Sequence, residues 1–441
     1  MPAILPPHVA TEAALVRALG VRQLTAAILN ATIGAGIFVL PALVAQGVGD
    51  AAPLAFLLCA AIIGLIAVAL AMAGSRVALT GGIYAYVEVA FGAYAALLAG
   101  VLQWLTGLAA VSGVATALLD QIGTLAPIVA GGATRLAVLG GIVAVLALLN
   151  ARGVRVGTRL VETVTVAKLA PLVVFVAAGV LLLDRPALVW PGLPDREALG
   201  RSVLLLIFAY TGVEMAVAPS GEIKDPARTV PRAVFLGLTL ATSLYVAIQL
   251  VAQAASGPLL AQQTEAPLAE AAGRFLGRAG VVLMLLGAVA SMFGYLCGDM
   301  LSTPRSLYAF ARDGLLPRIF ARIHPVRRTP GTAIWTHATL VVALASTNTF
   351  QALAIVSNVG TLLLYLLCCA AALELRRRDV RMAAEPFTFP GIWLAPAAGA
   401  ALVLWILSTA TAREFAVTGG VLAAATLAYV LGKRVQVLER A

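Results

Sequence analysis

Charged residues are scarce in this chain. Asp, Glu, Lys and Arg make up 11% of its 441 residues, whereas they make up roughly 25% of an ordinary soluble domain. Hydrophobic residues make up 61%, and the mean hydropathy is +0.99. This composition is typical of a polytopic membrane protein and leaves no stretch for a soluble domain. The four cysteines lie in apolar stretches without a C-x-x-C spacing, which argues against a disulfide framework or a zinc site.

The sequence also lacks the motifs of an enzyme. It contains three histidines and neither an H-E-x-x-H nor a G-x-S-x-G motif. The glycine-rich segment Thr80-Gly81-Gly82 lacks the Lys-Ser/Thr of a P-loop, so ATP hydrolysis is not expected. No cofactor is expected either. A continuous polar lining or a filter loop, as in a channel, is not recognisable.

Long apolar segments fill most of the chain. Twelve of them, each about 18 to 28 residues long, are long enough to span a membrane. They are 23–46, 53–79, 93–119, 134–150, 156–183, 199–219, 232–255, 279–303, 331–347, 350–373, 389–410 and 415–432. The leader 1–22 is amphipathic and lacks the features of a cleavable signal, so the first segment is expected to remain as a span.

Lys and Arg are distributed unevenly between these segments. With the N-terminus placed inside, 22 of the 30 basic residues fall in or beside inside connections and seven in or beside outside connections. This bias predicts that both termini, including the tail 433–441, are cytoplasmic. The formal net charge of +10 is thereby explained by topology, and nucleic-acid binding is a poor interpretation.

One lysine lies inside an apolar segment. Lys168 is about 17 Å from the polar start of 156–183, at ~1.5 Å of helical rise per residue, and hence near the middle of a ~30 Å hydrocarbon core. An unpaired ammonium at that depth costs at least ~2.5 kcal/mol. We therefore expect Lys168 to belong to an ion or substrate pathway. The alternative is a lysine that snorkels to an interface or forms a structural pair.

Two segments carry a glycine motif followed by a proline. Segment 23–46 contains Thr32-Ile33-Gly34-Ala35-Gly36 before Pro41, and segment 199–219 contains Tyr210-Thr211-Gly212-Val213-Glu214 before Pro219. Their matching places predict an inverted repeat with two discontinuous helices, whose unwound backbone must line a cavity. A small zwitterion suits such a cavity, because helix N–H groups favour its carboxylate and carbonyls favour its ammonium. Alternatively, the glycines merely allow close helix packing.

Further short motifs follow in order between residues 34 and 317. They are Gly34-Ala35-Gly36-Ile37-Phe38, Gly81-Gly82-Ile83-Tyr84-Ala85-Tyr86 with Phe91-Gly92, Lys168-Leu169-Ala170-Pro171, Phe208-Ala209-Tyr210-Thr211-Gly212, Glu222-Ile223-Lys224-Asp225-Pro226 through Pro231-Arg232-Ala233, and Arg305-Ser306-Leu307-Tyr308-Ala309 through Arg312-Asp313-Gly314-Leu315-Leu316-Pro317. This ordered set resembles the amino acid-polyamine-organocation (APC) transporter superfamily, specifically its bacterial amino-acid permeases.

The resemblance implies a fold and a function. The fold would be an all-α integral membrane protein of the LeuT type, with inverted repeats 23–183 and 199–373, broken helices 1 and 6, and accessory helices in 389–432. The function would be secondary transport of small or mid-sized neutral L-amino acids by alternating access, across the bacterial cytoplasmic membrane. The partners of such a carrier would be the amino acid, the lipid bilayer and, in symport, a proton. The sequence does not indicate an oligomeric state. Polyamine or cationic amino-acid antiport, and amino-acid sensing without transport, stay open as alternatives.

The resemblance also implies a substrate site at the two breaks. Its residues would be Thr32, Ile33, Gly34, Ala35, Gly36, Phe208, Ala209 and Thr211. The N–H groups of Gly34, Ala35 and Gly36 would bind the carboxylate, and carbonyls of the other residues the ammonium. Phe208 would also be an aromatic lid. Ala35 stands where relatives often have Ser or Thr, so a hydroxyl contact to the carboxylate is missing.

Two buried ionisable residues are assigned to coupling. Lys168 would occupy the place of the bound cation of sodium-coupled members, near the carbonyl end of the first break about Gly34, so protons or exchange would replace sodium. Glu214 would carry a proton, pair with a cationic substrate, or be a neutral structural carboxyl, because low dielectric disfavours its charged form. Four weaker candidates are expected to be interfacial or structural: Asp120, Glu162, Asp299 and His337.

Overall fold

The protein is helical throughout the part of the chain that its computed structural model describes. That part comprises residues 20–77, 79, 81–152, 158–183, 192–216, 223, 225–263, 265–312, 317–324, 327, 329–382 and 386–438. It contains fifteen α-helices and no β-strand. Several predicted features lie outside the described residues, namely leader residues 1–19, Pro219, Glu222, Lys224, motif residues 313–316 and the side chain of Glu162.

The helices are α1 (Val21–Thr32), α2 (Gly36–Val48), α3 (Ala52–Gly74), α4 (Ile83–Phe91), α5 (Ala93–Leu125), α6 (Gly132–Ala151), α7 (Thr158–Leu182), α8 (Arg196–Tyr210), α9 (Pro226–Ser256), α10 (Pro267–Ser302), α11 (Pro304–Arg312), α12 (Gly331–Thr347), α13 (Phe350–Arg377), α14 (Leu394–Leu407) and α15 (Ala412–Leu438). Every predicted apolar segment overlaps at least one of them. Among the described helices, six continuous runs are long and apolar enough to cross a membrane. A seventh candidate is the pair α14 and α15, which bends by 115°. Twelve spans and an inverted repeat therefore stay predictions.

The first predicted interruption separates α1 from α2. The helix ends at Thr32, and Ile33 leaves helical geometry with φ −78° and ψ 84°. The Gly34 N–H then donates to the Thr32 carbonyl at 2.9 Å, two residues back instead of four. Ala35 has helical geometry again, with φ −63° and ψ −33°, and α2 begins at Gly36. The glycine motif thus coincides with a break of three residues.

The second predicted interruption follows α8. Thr211 has extended geometry, with φ −61° and ψ 146°, and Gly212 has φ 112°. A short 3-10 helix, Val213–Ala216, comes next. Residues with a side chain rarely adopt the φ of Gly212, so the break depends on glycine.

The two interrupted helices lie at the centre of the packing. Helix α2 packs against α8, while α9 packs against both α1 and α3. Helices α5 and α13 form another extensive contact, as do α7 and α10. Three of the largest fully buried side chains are tyrosines of this central region, Tyr210, Tyr245 and Tyr365. Buried tyrosines need hydrogen-bond partners, which makes this core a place for polar contacts.

Large apolar side chains are exposed on the outer helices. Examples are Leu136 and Val145 on α6, Val180 and Leu181 on α7, and Leu286 on α10. So much exposed apolar surface would be unfavourable in water. It is the surface expected of helices that face lipid.

Ion pairs connect residues at or near the ends of several helices. Arg76 after α3 lies 3.4 Å from Asp379 after α13, and Arg201 of α8 lies 2.6 Å from Glu414 of α15. Asp120, one of the weaker candidates, pairs with Arg135 at 2.7 Å. Each pair joins two segments that the charge distribution predicts on the same side of the membrane.

Candidate functional site

The two helix interruptions touch each other. A Cβ added at Gly36 would lie 3.2 Å from the ring of Phe208, and one at Gly212 would lie 2.8 Å from the carbonyl carbon of Ala31. At Gly34, by contrast, the nearest atom would be 3.9 Å away. Close approach of the breaks therefore requires glycine at Gly212, a Cβ at Gly36 would be tightly packed, and Gly34 has space beside it.

The N-terminal end of α2 presents donors at this crossing. A helix leaves its first N–H groups without intrahelical acceptors, and its dipole makes that end partly positive. Among the described residues, the N–H groups of Ala35 and Gly36 have no backbone acceptor, whereas the Gly34 N–H donates to Thr32. Ala35 is buried. An anion bound here would therefore meet the N–H groups of Ala35 and Gly36 before that of Gly34.

The carbonyl ends of α1 and α8 face the same crossing and share one donor. The Tyr245 hydroxyl of α9 lies 2.8 Å from the Thr32 carbonyl oxygen and 3.0 Å from the Ala209 carbonyl oxygen. The Ile33 carbonyl accepts none of the hydrogen bonds formed by the described residues. The Thr32 hydroxyl is buried and likewise has no partner in the described part of the chain. The carbonyl groups of Thr32 and Ala209 and the Thr32 hydroxyl therefore lie close together in a buried region.

An aromatic pair borders the crossing. Phe208 is only 7% exposed and meets Phe350 of α13 edge to face, with ring centroids 5.3 Å apart. The Phe208 carbonyl accepts a hydrogen bond from the Thr211 hydroxyl at 2.8 Å. The predicted substrate residues of the second break are therefore grouped around Phe208, next to Gly36 of the first.

Lys168 reaches the end of α1. Its side chain is 6% exposed, and Nζ donates to the carbonyl of Asn30 in the last turn. In a continuous helix the Gly34 N–H would bond to that carbonyl, but here it turns to Thr32. The ammonium thus supports a helix C-terminus, which is partly negative. The family resemblance predicts this contact about Gly34. In the structure it lies four residues earlier, at Asn30.

Glu214 belongs to the other break. One carboxyl oxygen accepts a hydrogen bond from the Gly212 N–H at 3.0 Å and another from the Tyr365 hydroxyl at 2.9 Å. These contacts join the second break to α13. No ion pair links Glu214 to Lys168 in the described part of the chain. Lys168 contacts the first interrupted helix, and Glu214 contacts the second.

Two weaker candidates form a buried pair between α10 and α12. His337 Nε2 lies 3.1 Å from an Asp299 carboxyl oxygen, and the Thr303 hydroxyl donates to the other oxygen at 2.6 Å. Both members of the pair are buried, His337 completely. The structural alternative fits them better than an interfacial position.

Sequence reasoning missed four residues of this region: Asn30, Tyr245, Phe350 and Tyr365. A signal existed for the tyrosines, since a tyrosine in the middle of an apolar span usually hydrogen-bonds through its hydroxyl. The hydrogen-bond partner of Tyr245 could not be inferred from the sequence, because Tyr245 and Thr32 are 213 residues apart.

Comparison with known proteins tests the resemblance. The sequence profile described as Amino acid permease matches residues 19–431. The chain belongs to this family. It is similar to the methylthioribose transporter of Bacillus subtilis, with 27% identity over 89% of this chain and 88% of the relative. It is also similar to the branched-chain amino acid permease BcaP of Lactococcus lactis, with 28% identity over 79% of each chain, and to the serine/threonine exchanger SteT of Bacillus subtilis, with 29% identity over 80% and 81%.

These relatives confirm two predictions. The permease is related to transporters and not to enzymes, as the missing catalytic motifs indicated. It is a multi-pass membrane protein of the APC superfamily, as its composition and ordered motifs indicated. The names of the relatives span different substrates, so family membership leaves the cargo undecided.

Proposed function

We propose that this permease is a secondary carrier of small or mid-sized neutral L-amino acids that works by alternating access. Its twelve predicted spans would form a LeuT-type fold, with repeats 23–183 and 199–373 and accessory helices in 389–432. It would lie in the bacterial cytoplasmic membrane with both termini inside. One observation carries the proposal: the two interruptions meet, so donors of one half-helix and carbonyls of two others converge at one buried point.

The substrate carboxylate would bind at the start of α2. Buried N–H groups need partners, and those of Ala35 and Gly36 have no backbone acceptor in the described part of the chain. The partly positive helix end would favour a carboxylate further. Gly34 would contribute its N–H only after releasing the Thr32 carbonyl, and it would keep room for the ligand to approach.

The substrate ammonium would bind at the carbonyl ends of α1 and α8. The Thr32 carbonyl already accepts two hydrogen bonds, from Gly34 and Tyr245. Since a carbonyl oxygen has two lone pairs, Ile33 and Ala209 offer more capacity. The buried Thr32 hydroxyl would supply a further contact, and the carbonyls of Phe208 and Thr211 complete the proposed group.

The aromatic border favours an apolar or small side chain. Phe208 and Phe350 would pack against it, and Phe208 would close the site as a lid. Glu214 could serve a cationic side chain instead, but one of its oxygens is already held by Gly212 and Tyr365.

Coupling would be to protons or to exchange, and not to sodium. The Lys168 ammonium supports the end of α1 through Asn30, at the place that the family resemblance assigns to the cation of sodium-coupled members. A sodium ion close to this ammonium would be repelled. Glu214 would contribute as a proton carrier or as a structural carboxyl.

A ligand screen tests this function. The purified protein is heated with each of the twenty L-amino acids, with putrescine and agmatine, and with methylthioribose. A ligand at a hundredfold its Kd stabilises the folded state by about 2.7 kcal/mol, so a neutral amino acid should raise Tm. Stabilisation by amines or methylthioribose alone would refute the proposal. Counterflow of the stabilising amino acid in proteoliposomes then separates a carrier from a sensor.

A further inference from the structure

A histidine and an aspartate form a buried pair between α10 and α12. His337 Nε2 lies 3.1 Å from one carboxyl oxygen of Asp299, and the Thr303 hydroxyl donates to the other oxygen at 2.6 Å. His337 is completely buried, and Asp299 is 8% exposed. Titratable groups inside a membrane protein are costly and mark ion or proton pathways more often than simple packing. Binding of the substrate at the two interruptions does not use this pair.

The second ring nitrogen of His337 has a free lone pair. Nδ1 is buried and forms no hydrogen bond within the described part of the chain. An imidazolium has two N–H groups that both need acceptors, whereas a neutral imidazole has one N–H and one acceptor nitrogen. A buried charged donor without an acceptor costs more than an unused lone pair. The contacts therefore fit a neutral imidazole that donates from Nε2 to an ionised Asp299.

In this form the pair carries one net negative charge. Among the described residues, the only ion-pair partner of Asp299 is His337. One more proton, bound to the lone pair of Nδ1, gives an imidazolium opposite a carboxylate and brings the net charge to zero. Since an uncompensated charge is unfavourable in a low-dielectric interior, the pair is a suitable acceptor for a single proton.

The pair lies near the ends of its two helices. Asp299 comes three residues before the end of α10 at Ser302, and His337 comes six residues after the start of α12 at Gly331. At ~1.5 Å of rise per residue, His337 is about 9 Å from the start of its helix. The intervening connection holds six arginines, which predicts that it is cytoplasmic. A proton released from the pair would therefore leave on the cytoplasmic side.

Tyr295 links the pair to the second interruption. It lies on α10 one turn before Asp299, and it interacts electrostatically with both Asp299 and Glu214. Glu214 in turn accepts a hydrogen bond from the Gly212 N–H at the interruption. The charge of the pair can thus influence the break at which the substrate is proposed to bind.

The helices around the pair bring few other titratable groups to it. Helix α5 packs on both α10 and α12, and a Cβ added at its Gly107 would lie 2.9 Å from the Thr303 hydroxyl oxygen and 3.3 Å from an Asp299 carboxyl oxygen. The sequence of α5 has no titratable residue between Tyr94 and Asp120, and that of α6 has none after Arg135. Close approach of α5 therefore covers the pair with backbone.

The remaining titratable or charged residues come from four other helices and one short turn. Helices α7 and α9 also pack on α10, but they direct Lys168 and Tyr245 to the end of α1. The other groups are Tyr295 and Cys297 on α10, Arg305, Tyr308 and Arg312 on α11, and Arg318 at the start of the short 3-10 helix Arg318–Ala321.

We propose that His337 and Asp299 form the binding site of the coupled proton. A proton that enters with the substrate adds to the lone pair of Nδ1 and forms one N–H bond, while the Asp299 carboxylate stays ionised as the counter-ion. The reverse step breaks that bond and returns the proton to cytoplasmic water. The inference rests on the proposed amino-acid carrier and selects proton symport over exchange.

The test compares transport driven by a pH gradient with counterflow at equal pH. The purified protein is reconstituted in proteoliposomes, and the probe is whichever of alanine, serine, valine, leucine and phenylalanine raises Tm most. The membrane potential is clamped with potassium and valinomycin, and the outside is made acidic. A gradient of one pH unit supports at most about tenfold accumulation when one proton accompanies each substrate. The readout is the ratio of gradient-driven uptake to counterflow, together with acidification of the vesicle interior.

Two variants remove the two members of the pair. His337→Gln removes the proton acceptor, and Asp299→Asn removes the counter-ion without which an imidazolium would be an unpaired buried charge. We expect either variant to lower the ratio at least fivefold and to abolish the acidification. The matched controls Asp120→Asn and His324→Gln make the same chemical changes outside the pair, and they should leave the ratio within twofold of the wild type.

The outcomes separate the inference from the proposed function. A wild-type ratio in either variant of the pair overturns the inference, and so does an equal loss of uptake and counterflow, which is the result expected of a merely structural pair. A wild type that shows counterflow without a response to the gradient is an exchanger, which overturns the inference and leaves the proposed function intact. A wild type that transports no amino acid overturns the proposed function, and the inference with it.

A measurement on the wild type covers variants that fail to fold. The chain has three histidines, His8, His324 and His337, so nitrogen NMR of isotope-labelled histidine gives few signals. The variants His8→Gln and His324→Gln identify the signal of His337 by elimination. With the amino acid bound, Nδ1 of His337 should gain a proton between mildly alkaline and mildly acidic pH. An imidazole that stays neutral over this range overturns the inference.

Discussion

Gly212→Ala probes the contact between the two interruptions most directly. The added Cβ would lie 2.8 Å from the Ala31 carbonyl carbon and 2.9 Å from the Thr32 nitrogen, and both are backbone atoms that cannot rotate away. Overpacking of this kind costs about 1–3 kcal/mol, and a side chain at φ 112° adds about 1–3 kcal/mol of backbone strain. We therefore expect a loss of roughly 2–6 kcal/mol in the free energy of unfolding.

The assay is thermal unfolding in detergent, together with amino-acid binding. Gly34→Ala is the matched control, because its Cβ would meet nothing closer than 3.9 Å. Relief of the clash should push α1 away from the second break, so Gly212→Ala should lose binding as well as stability. The control should keep most of its stability. Wild-type Tm and binding in Gly212→Ala would refute the idea that the interruptions meet at this glycine.

Three further predictions concern transport. Lys168→Ala should abolish uptake while the protein stays monodisperse in detergent, because a methyl group cannot reach the Asn30 carbonyl; wild-type transport rates would remove Lys168 from the mechanism. Replacing sodium by choline or potassium at constant pH should leave uptake unchanged in proteoliposomes, and strict sodium dependence would contradict the proposed coupling. Methyl esters of substrate amino acids should fail to compete for binding, and Gly36→Val should mimic this loss, because its branched side chain would collide with Phe208 and block the N–H groups. Competition by esters equal to that of free amino acids would exclude a carboxylate contact at α2.

Much of the architecture could be predicted from local properties of the sequence. Apolar segments can be recognised because the bilayer imposes a minimum length on each span, and every one of them overlaps a helix. Both interruptions were predicted as well, since glycine at positions such as Gly34 and Gly212 lowers the cost of leaving helical geometry. Lys168 stood out because a charge in an apolar stretch needs a partner.

Which groups meet was decided only by the tertiary structure. Lys168 reaches Asn30 across 138 residues of sequence, and Tyr245 joins Thr32 to Ala209 across 213 and 36. No periodicity carries such information, because a hydrogen bond depends on the position of each helix within a few tenths of an ångström. Sequence by itself determined which stretches form apolar helices and where two of these helices are interrupted. The packing of α1, α8 and α9 decided which carbonyls share a donor, since it alone brings the two ends to one hydroxyl.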